Sequence, residues 1–250
     1  MKYRHAFHAG NFADVHKHIM LLSLLRALCR KDKGFLLLDT HAGRGFYDLS
    51  SSEAYRSHEA DEGIERLLDV EAPAEGWPTG ISDYIAVVET LRRERHDRAA
   101  YPGSPLLALL ALRPQDRTVL IETQPSEHAA LREAVAALAR YAPAALAGER
   151  RAVVERVVIE CADGYGRLPN WLPPIERRAL VFIDPPYEII PTVAPGLFVR
   201  LAELLAEKPE ALVVFETPGE IELAPPGWTL RKRLGKGKGQ PTVSFFSRSA

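Results

Sequence analysis

Five short apolar runs punctuate the chain, and their alternation with helical stretches constrains the fold more than any other feature. They are FLLLD (35–39), TVLIE (118–122), VERVVI (154–159), ALVFID (179–184) and ALVVFE (211–216). Short apolar runs of this length are how strands covered on both faces are written. Helices fill the gaps. Asn11 or Asp14 caps one that runs to about Arg30. Ser104 followed by Pro105 reads as an N-cap with proline at the first helical position. Ser126 leads into EHAALREAVAALARY, and LFVRLAELLAEK follows Pro191. Alternating β and α elements predict an α/β fold with a doubly wound, mostly parallel sheet. Two further strands, 228–234 and 242–247, are joined by GKGKGQP, a hairpin turn. The sheet then has seven strands with the last antiparallel. Residues 46–115 are too many for one crossover. They read as a small inserted helical subdomain, with EADEGIERLLDV and ISDYIAVVETLRRERH as its helices, within a single domain over 1–250.

Composition narrows the function classes. The net charge of −1 excludes a uniformly basic binder but not a nucleic-acid enzyme, for which local charge matters. Two cysteines, Cys29 and Cys161, point to a reducing compartment and no disulfide framework. The start, MKYRHAFHAGNFADVHKH, is too polar for a signal peptide. The apolar run after it is broken by Arg26 and too short to span a membrane. A cytoplasmic protein with no membrane partner is expected.

The first strand ends in Asp39 and runs into Thr40-His41-Ala42-Gly43-Arg44-Gly45. Glycines there allow positive φ and close approach of a ligand, although a tight turn without a ligand has the same sequence. A dinucleotide fingerprint needs a third glycine, and Asp48 stands in its place. An acid beside the loop suits an ammonium-bearing ligand without phosphate, and S-adenosylmethionine is such a ligand. Glu122, at the end of the second strand, can accept both hydroxyls of a ribose, or be a solvated acid. Asp163, after the third, can accept an adenine amino group or cap a helix. Asp39, Glu122, Asp163 and Asp184 together fall at the carboxyl ends of four strands, where open α/β sheets bind ligands.

The most specific signal is Asp184-Pro185-Pro186-Tyr187. An exocyclic amine is a weak nucleophile because its lone pair is delocalised into the ring. Two acceptors aimed at its hydrogens localise that pair: the Asp184 carboxylate and a backbone carbonyl, that of Pro185. The prolines stiffen the bracket. Tyr187 offers a face for an extruded base. A plain Pro-Pro turn is the bland alternative.

The N-terminal segment is rich in donors: Tyr3, Arg4, His5, His8, His16, Lys17 and His18. A metal site is disfavoured because no compact HxxxH pair encloses an acid. The better reading is a polar segment over cofactor and substrate. Lys17 or His18 then meets a methionine carboxylate, and Lys2, Arg4 and His5 meet phosphate. Ser104, in YPGSP, caps its helix and lies near the ligand. Arg231, Lys232, Arg233, Lys236 and Lys238 cluster at the last hairpin, as an RNA patch or a solvated face.

In order along the chain, YRHAFHAGNFADVHKH, LDTHAGRGFYDL, YPGSP, ETQPSEHAALR, ADGY and IDPPYE resemble the RlmJ family. Its members methylate the exocyclic amine of one adenine in 23S ribosomal RNA. The resemblance runs from about Tyr3 to Glu188; beyond it the end is similar to other small ribosomal-RNA methyltransferases. It implies a Rossmann-like class I methyltransferase fold with a helical insertion and S-adenosylmethionine as donor. It assigns cofactor binding to His18, His41, Ser104, Glu122, Asp163 and Gly164, with Lys17, Asp39 and Gly43 in the same matched segments. Asp184 is the implied catalytic acid, with Pro185 and Tyr187, and Tyr3 touches the substrate beside Arg4 and His5. The expected partner is 23S ribosomal RNA, and the expected state is a monomer without metal. A DNA adenine methyltransferase, a non-catalytic nucleic-acid binder and a nicotinamide-dependent oxidoreductase are the alternatives. The intact tetrad argues against the second and the missing glycine against the third.

Overall fold

The computed structural model describes residues 7–185, 212–217, 228–234 and 242–248. Tyr3, Arg4, His5, Tyr187, the helix after Pro191 and the turn GKGKGQP lie outside them. The chain packs as two compact units. One comprises Met1–Asp32, Ala42–Pro114 and Ser126–Arg156; the other comprises Lys33–His41, Gln115–Pro125 and Val157–Ala250.

The second unit is the sheet. Its strands are β1 (Leu36–Asp39), β4 (Arg117–Glu122), β5 (Val157–Cys161), β6 (Ala179–Ile183), β7 (Leu212–Thr217), β8 (Trp228–Leu234) and β9 (Thr242–Arg248). They form one seven-stranded sheet in the order β5-β4-β1-β6-β7-β9-β8. The β5-to-β7 pairings are parallel. β9 runs antiparallel to both β7 and β8, as the sequence predicts. In β1, Leu36, Leu37 and Leu38 are at most 1% exposed, and β6 is buried throughout. Burial on both faces explains why these strands read as unbroken apolar runs. Asp116 Oδ1 accepts from Phe35 N at 3.3 Å and steadies the entry to β1. Helix α8 (Gly164–Trp171) follows β5.

The first unit is mainly helical. It holds α1 (Phe12–Cys29), α2 (Ser52–Ser57), a π-helical turn (Asp61–Glu65), α3 (Arg66–Asp69), α4 (Thr79–Arg95), α5 (Ser104–Ala111), most of α6 (Pro125–Arg140) and α7 (Ala147–Val154). Asn11 caps α1, its Oδ1 accepting from Asp14 N at 2.9 Å. Glu59 ties the segment before α1 to the insertion, accepting from Asn11 Nδ2 at 2.9 Å and lying 2.9 Å from His8 Nδ1. Residues 46–102 are not purely helical. β2 (Phe46–Asp48) and β3 (Ala100–Pro102) pair antiparallel, with Tyr47 opposite Tyr101.

Three boundaries correct the sequence reading. β5 begins at Val157, because Val153 and Val154 belong to α7 and Val153 faces the core. The N-cap of α5 is Gly103, so Ser104 is the first helical residue and Pro105 the second. Ser126 falls inside α6, which opens at Pro125. Cys29 and Cys161 are free thiols.

Candidate active site

Four acids stand at the carboxyl ends of β5, β4, β1 and β6, which are adjacent in the sheet. Register sets their levels. Asp39 pairs with Leu120 and Phe182, while Glu122 and Asp184 each lie two residues further along their strands. The order reverses at β1, which has β4 on one side and β6 on the other. That is the switch point where open α/β sheets take ligands.

Three of the acids make a local hydrogen bond that fixes their orientation. Asp39, 2% exposed, accepts from His41 N at 3.1 Å. Glu122, 8% exposed, accepts from Gln124 N at 2.7 Å. Asp163 is the N-cap of α8, its Oδ2 accepting from Gly166 N at 2.9 Å. The bland reading of Asp163 as a cap is therefore correct, and it does not conflict with a ligand contact, since a carboxylate has about four acceptor sites. Gly164 opens α8 hard against the turn after β1: a Cβ on it would lie 2.1 Å from Thr40 O. Asp184 is half-buried and Pro185 buried. Because a residue before proline is held extended, Pro185 limits the backbone of Asp184.

His41 sits among these acids. Its Nδ1 is 2.9 Å from Thr40 Oγ1, and Thr40 Oγ1 donates to Phe182 O at 3.2 Å. Its ring meets Tyr165 edge-on with centroids 4.9 Å apart. Burial pushes the imidazole down to about 4, with Asp184 and then Asp163 pulling the other way. His41 is therefore neutral at pH 7. The same acids, after burial, push the Tyr165 phenol up.

The first unit holds the remaining candidates. Lys17 and Asp14 form a buried pair at 3.0 Å, and Asp14 also accepts from Gly10 N at 3.0 Å. His18 Nδ1 lies 3.0 Å from Tyr101 Oη. Gly43 and Gly45 take φ of +62° and +75°. A Cβ on Gly45 would come within 2.9 Å of Leu131 Cδ1, so that glycine serves packing on α6 as well as the turn. Gly103 N donates to Gly45 O at 2.8 Å, which brings the YPGSP segment, and with it Ser104, to the glycine turn. Arg44 makes a two-pronged ion pair with Glu127, both bonds at 2.8 Å. Asp48 holds Ser50 through its N and Oγ. This donor set does not suit a pyrophosphate: the loop's cation is matched by an acid and its third position carries one. The strand-end acids are acceptors of the kind that a diol and an amine require. The sequence reading passed over Tyr84, Tyr101 and Tyr165, although Tyr101 lies in YPGSP and Tyr165 in ADGY.

Among the described residues, no group of three or more His, Cys, Asp or Glu is placed to hold a metal. No helix there is long and apolar enough to cross a membrane.

Residues 32–194 match the family model described as "Ribosomal RNA large subunit methyltransferase D, RlmJ". The chain belongs to this family. Two relatives, both called "Ribosomal RNA large subunit methyltransferase J", come from Haemophilus influenzae and Escherichia coli. They are 40% and 43% identical over 189 residues, which is 76% of this chain. The match covers 60% of each relative, so the chain spans about three fifths of their length. The chain is also similar to the crystal structure of protein LPL1258 from Legionella pneumophila, with a TM-score of 0.71 and 29% identity over 97% of this chain and 88% of that one. The sheet of this RlmJ-family chain has the Rossmann-like architecture expected from its sequence: seven strands, mostly parallel, with the last antiparallel.

Proposed function

We propose that this protein transfers a methyl group from S-adenosylmethionine to the exocyclic N6 amine of an adenine in 23S ribosomal RNA. The observation that carries the reading is the row of acids on four adjacent strand ends, closed by Asp184-Pro185 of the DPPY tetrad. Family membership supports it. The reading treats residues 1–250 as one methyltransferase domain with 46–115 inserted, acting as a monomer in the cytoplasm.

Bound S-adenosylmethionine supplies an electrophilic methyl. In this assignment Glu122 accepts from the ribose hydroxyls and Asp163, beside Gly164, from the adenine amine. Asp39, His41, Gly43 and Ser104 line the remainder, and Lys17 and His18 hold the carboxylate. A neutral His41 adds no cation next to a sulfonium. Asp184 accepts a hydrogen bond from the target amine, localises its lone pair and takes the proton the nitrogen loses. The Pro185 carbonyl accepts the second hydrogen. The target base has to leave its stack to reach them, and Tyr187 gives it a face to rest on. Tyr3, Arg4 and His5 meet the RNA. Positioning supplies most of the acceleration.

Titration calorimetry tests the donor assignment. S-adenosylhomocysteine is expected to bind the purified protein and NAD is not. Binding of NAD without S-adenosylhomocysteine refutes the reading.

A further inference from the structure

In the first unit three rings form a continuous buried line of hydrogen bonds. Tyr84 Oη lies 3.0 Å from Tyr101 Oη. Tyr101 Oη lies 3.0 Å from His18 Nδ1. Tyr84 and Tyr101 are 0% exposed and His18 is 3% exposed. The elements that deliver them are α4, β3 and α1, so two of the three groups come from the insertion.

The direction of this line follows from counting hydrogens. If His18 donated from Nδ1 to Tyr101, and Tyr101 to Tyr84, the Tyr84 hydrogen would need a further acceptor. Among the described residues Tyr101 is the partner the Tyr84 hydroxyl has. A buried hydroxyl hydrogen left without an acceptor is costly. In the opposite direction both hydroxyl hydrogens are used: Tyr84 donates to Tyr101, and Tyr101 donates to His18 Nδ1.

We infer that Tyr101, with its own oxygen engaged by Tyr84, is a positioning residue that holds His18 as the neutral tautomer with its proton on Nε2. His18 thereby becomes a fixed N–H donor for the carboxylate of the methyl donor. This rests on the assignment of His18 to the cofactor made above. Burial first, and Asp14 among the further causes, raises both phenols, so they stay protonated donors across the working pH range. The rings also pack: His18 lies 5.8 Å from Tyr101 and 6.1 Å from Tyr84, centroid to centroid.

The test uses nitrogen-15 labelled protein without ligand, with the His18 ring signals assigned by their loss in His18→Gln. Long-range proton–nitrogen correlation is expected to show the Nε2–H tautomer in the parent and in Tyr84→Phe, where Tyr101 still donates. Tyr101→Phe is expected to give a mixture of tautomers. It should bind S-adenosylhomocysteine a few-fold more weakly, since only part of the population then carries the competent tautomer. Tyr84→Phe should match the parent, since its own bond to His18 is indirect. An Nδ1–H or doubly protonated His18 in the parent overturns the inference, as does parent-like affinity in Tyr101→Phe. If Tyr101→Phe does not fold, the parent and Tyr84→Phe spectra decide. If the parent itself does not bind S-adenosylhomocysteine, the cofactor assignment falls, and the ligand-free spectrum alone judges the relay.

Discussion

Asp184 and Glu122 are both acids at strand ends, but their surroundings suit different steps. Glu122 is buried, with one oxygen engaged by Gln124 N, as befits a rigid acceptor for a bound hydroxyl pair. Asp184 is half-buried, ahead of a proline that limits its backbone. Asp184→Ala is expected to leave cofactor affinity within a few-fold and abolish single-turnover methyl transfer. Glu122→Ala should weaken S-adenosylhomocysteine by about 1.5–3 kcal/mol and recover turnover partly at high cofactor, as lost uniform binding does. Measuring Kd and single-turnover rate for both variants checks the division; matching profiles contradict it. His41 gives a residue-scale prediction in stability. It titrates near 4 when folded and near 6.5 when not. Between those values the unfolded chain binds the extra proton, so stability is full above pH 6.5 and declines as pH falls towards 4. Urea midpoints measured down that range should drop more steeply for the parent than for His41→Gln. Equal slopes would show that burial of the imidazole has no such effect.

At the scale of elements, legibility followed burial. β1, β4 and β6 are strands covered on both faces, and continuous apolar runs announce such strands directly. β5 is expected three residues early because Val154 reads as the start of the apolar run while it is the last residue of α7. The β2–β3 ribbon left no signal, since three residues on each side are too few for alternation to register. The positions of the four acids were legible because each ends or follows a readable strand. The tyrosine line was not: Tyr84 looks like any core residue of α4, and only pairing across 17 residues reveals its hydroxyl's partner. Leu37, 1% exposed at the centre of β1, tests the packing account. Leu37→Ala should cost about 2–5 kcal/mol in urea unfolding. A loss below about 1 kcal/mol would mean that β1 is not packed as described.

At the scale of the molecule, the local chemistry of the strand ends carries the proposal and the overall charge does not. A net charge of −1 does not by itself recommend an RNA partner, and the proposed substrate rests on the strand-end acids and on family membership. If basic residues near both ends of the chain meet phosphate, RNA affinity falls steeply as salt rises, through counterion release. A salt-independent affinity would remove them from the interface. The chain spans about three fifths of its Haemophilus and Escherichia relatives, which makes the substrate the point most in need of direct test. The most direct measurement supplies S-adenosylmethionine with a labelled methyl to protein-free 23S ribosomal RNA and to duplex DNA, then digests both to nucleosides. The account predicts label in N6-methyladenosine from the RNA, none from the DNA, and none with Asp184→Ala. Label in another nucleoside, equal labelling of the DNA, or transfer that survives Asp184→Ala would contradict it.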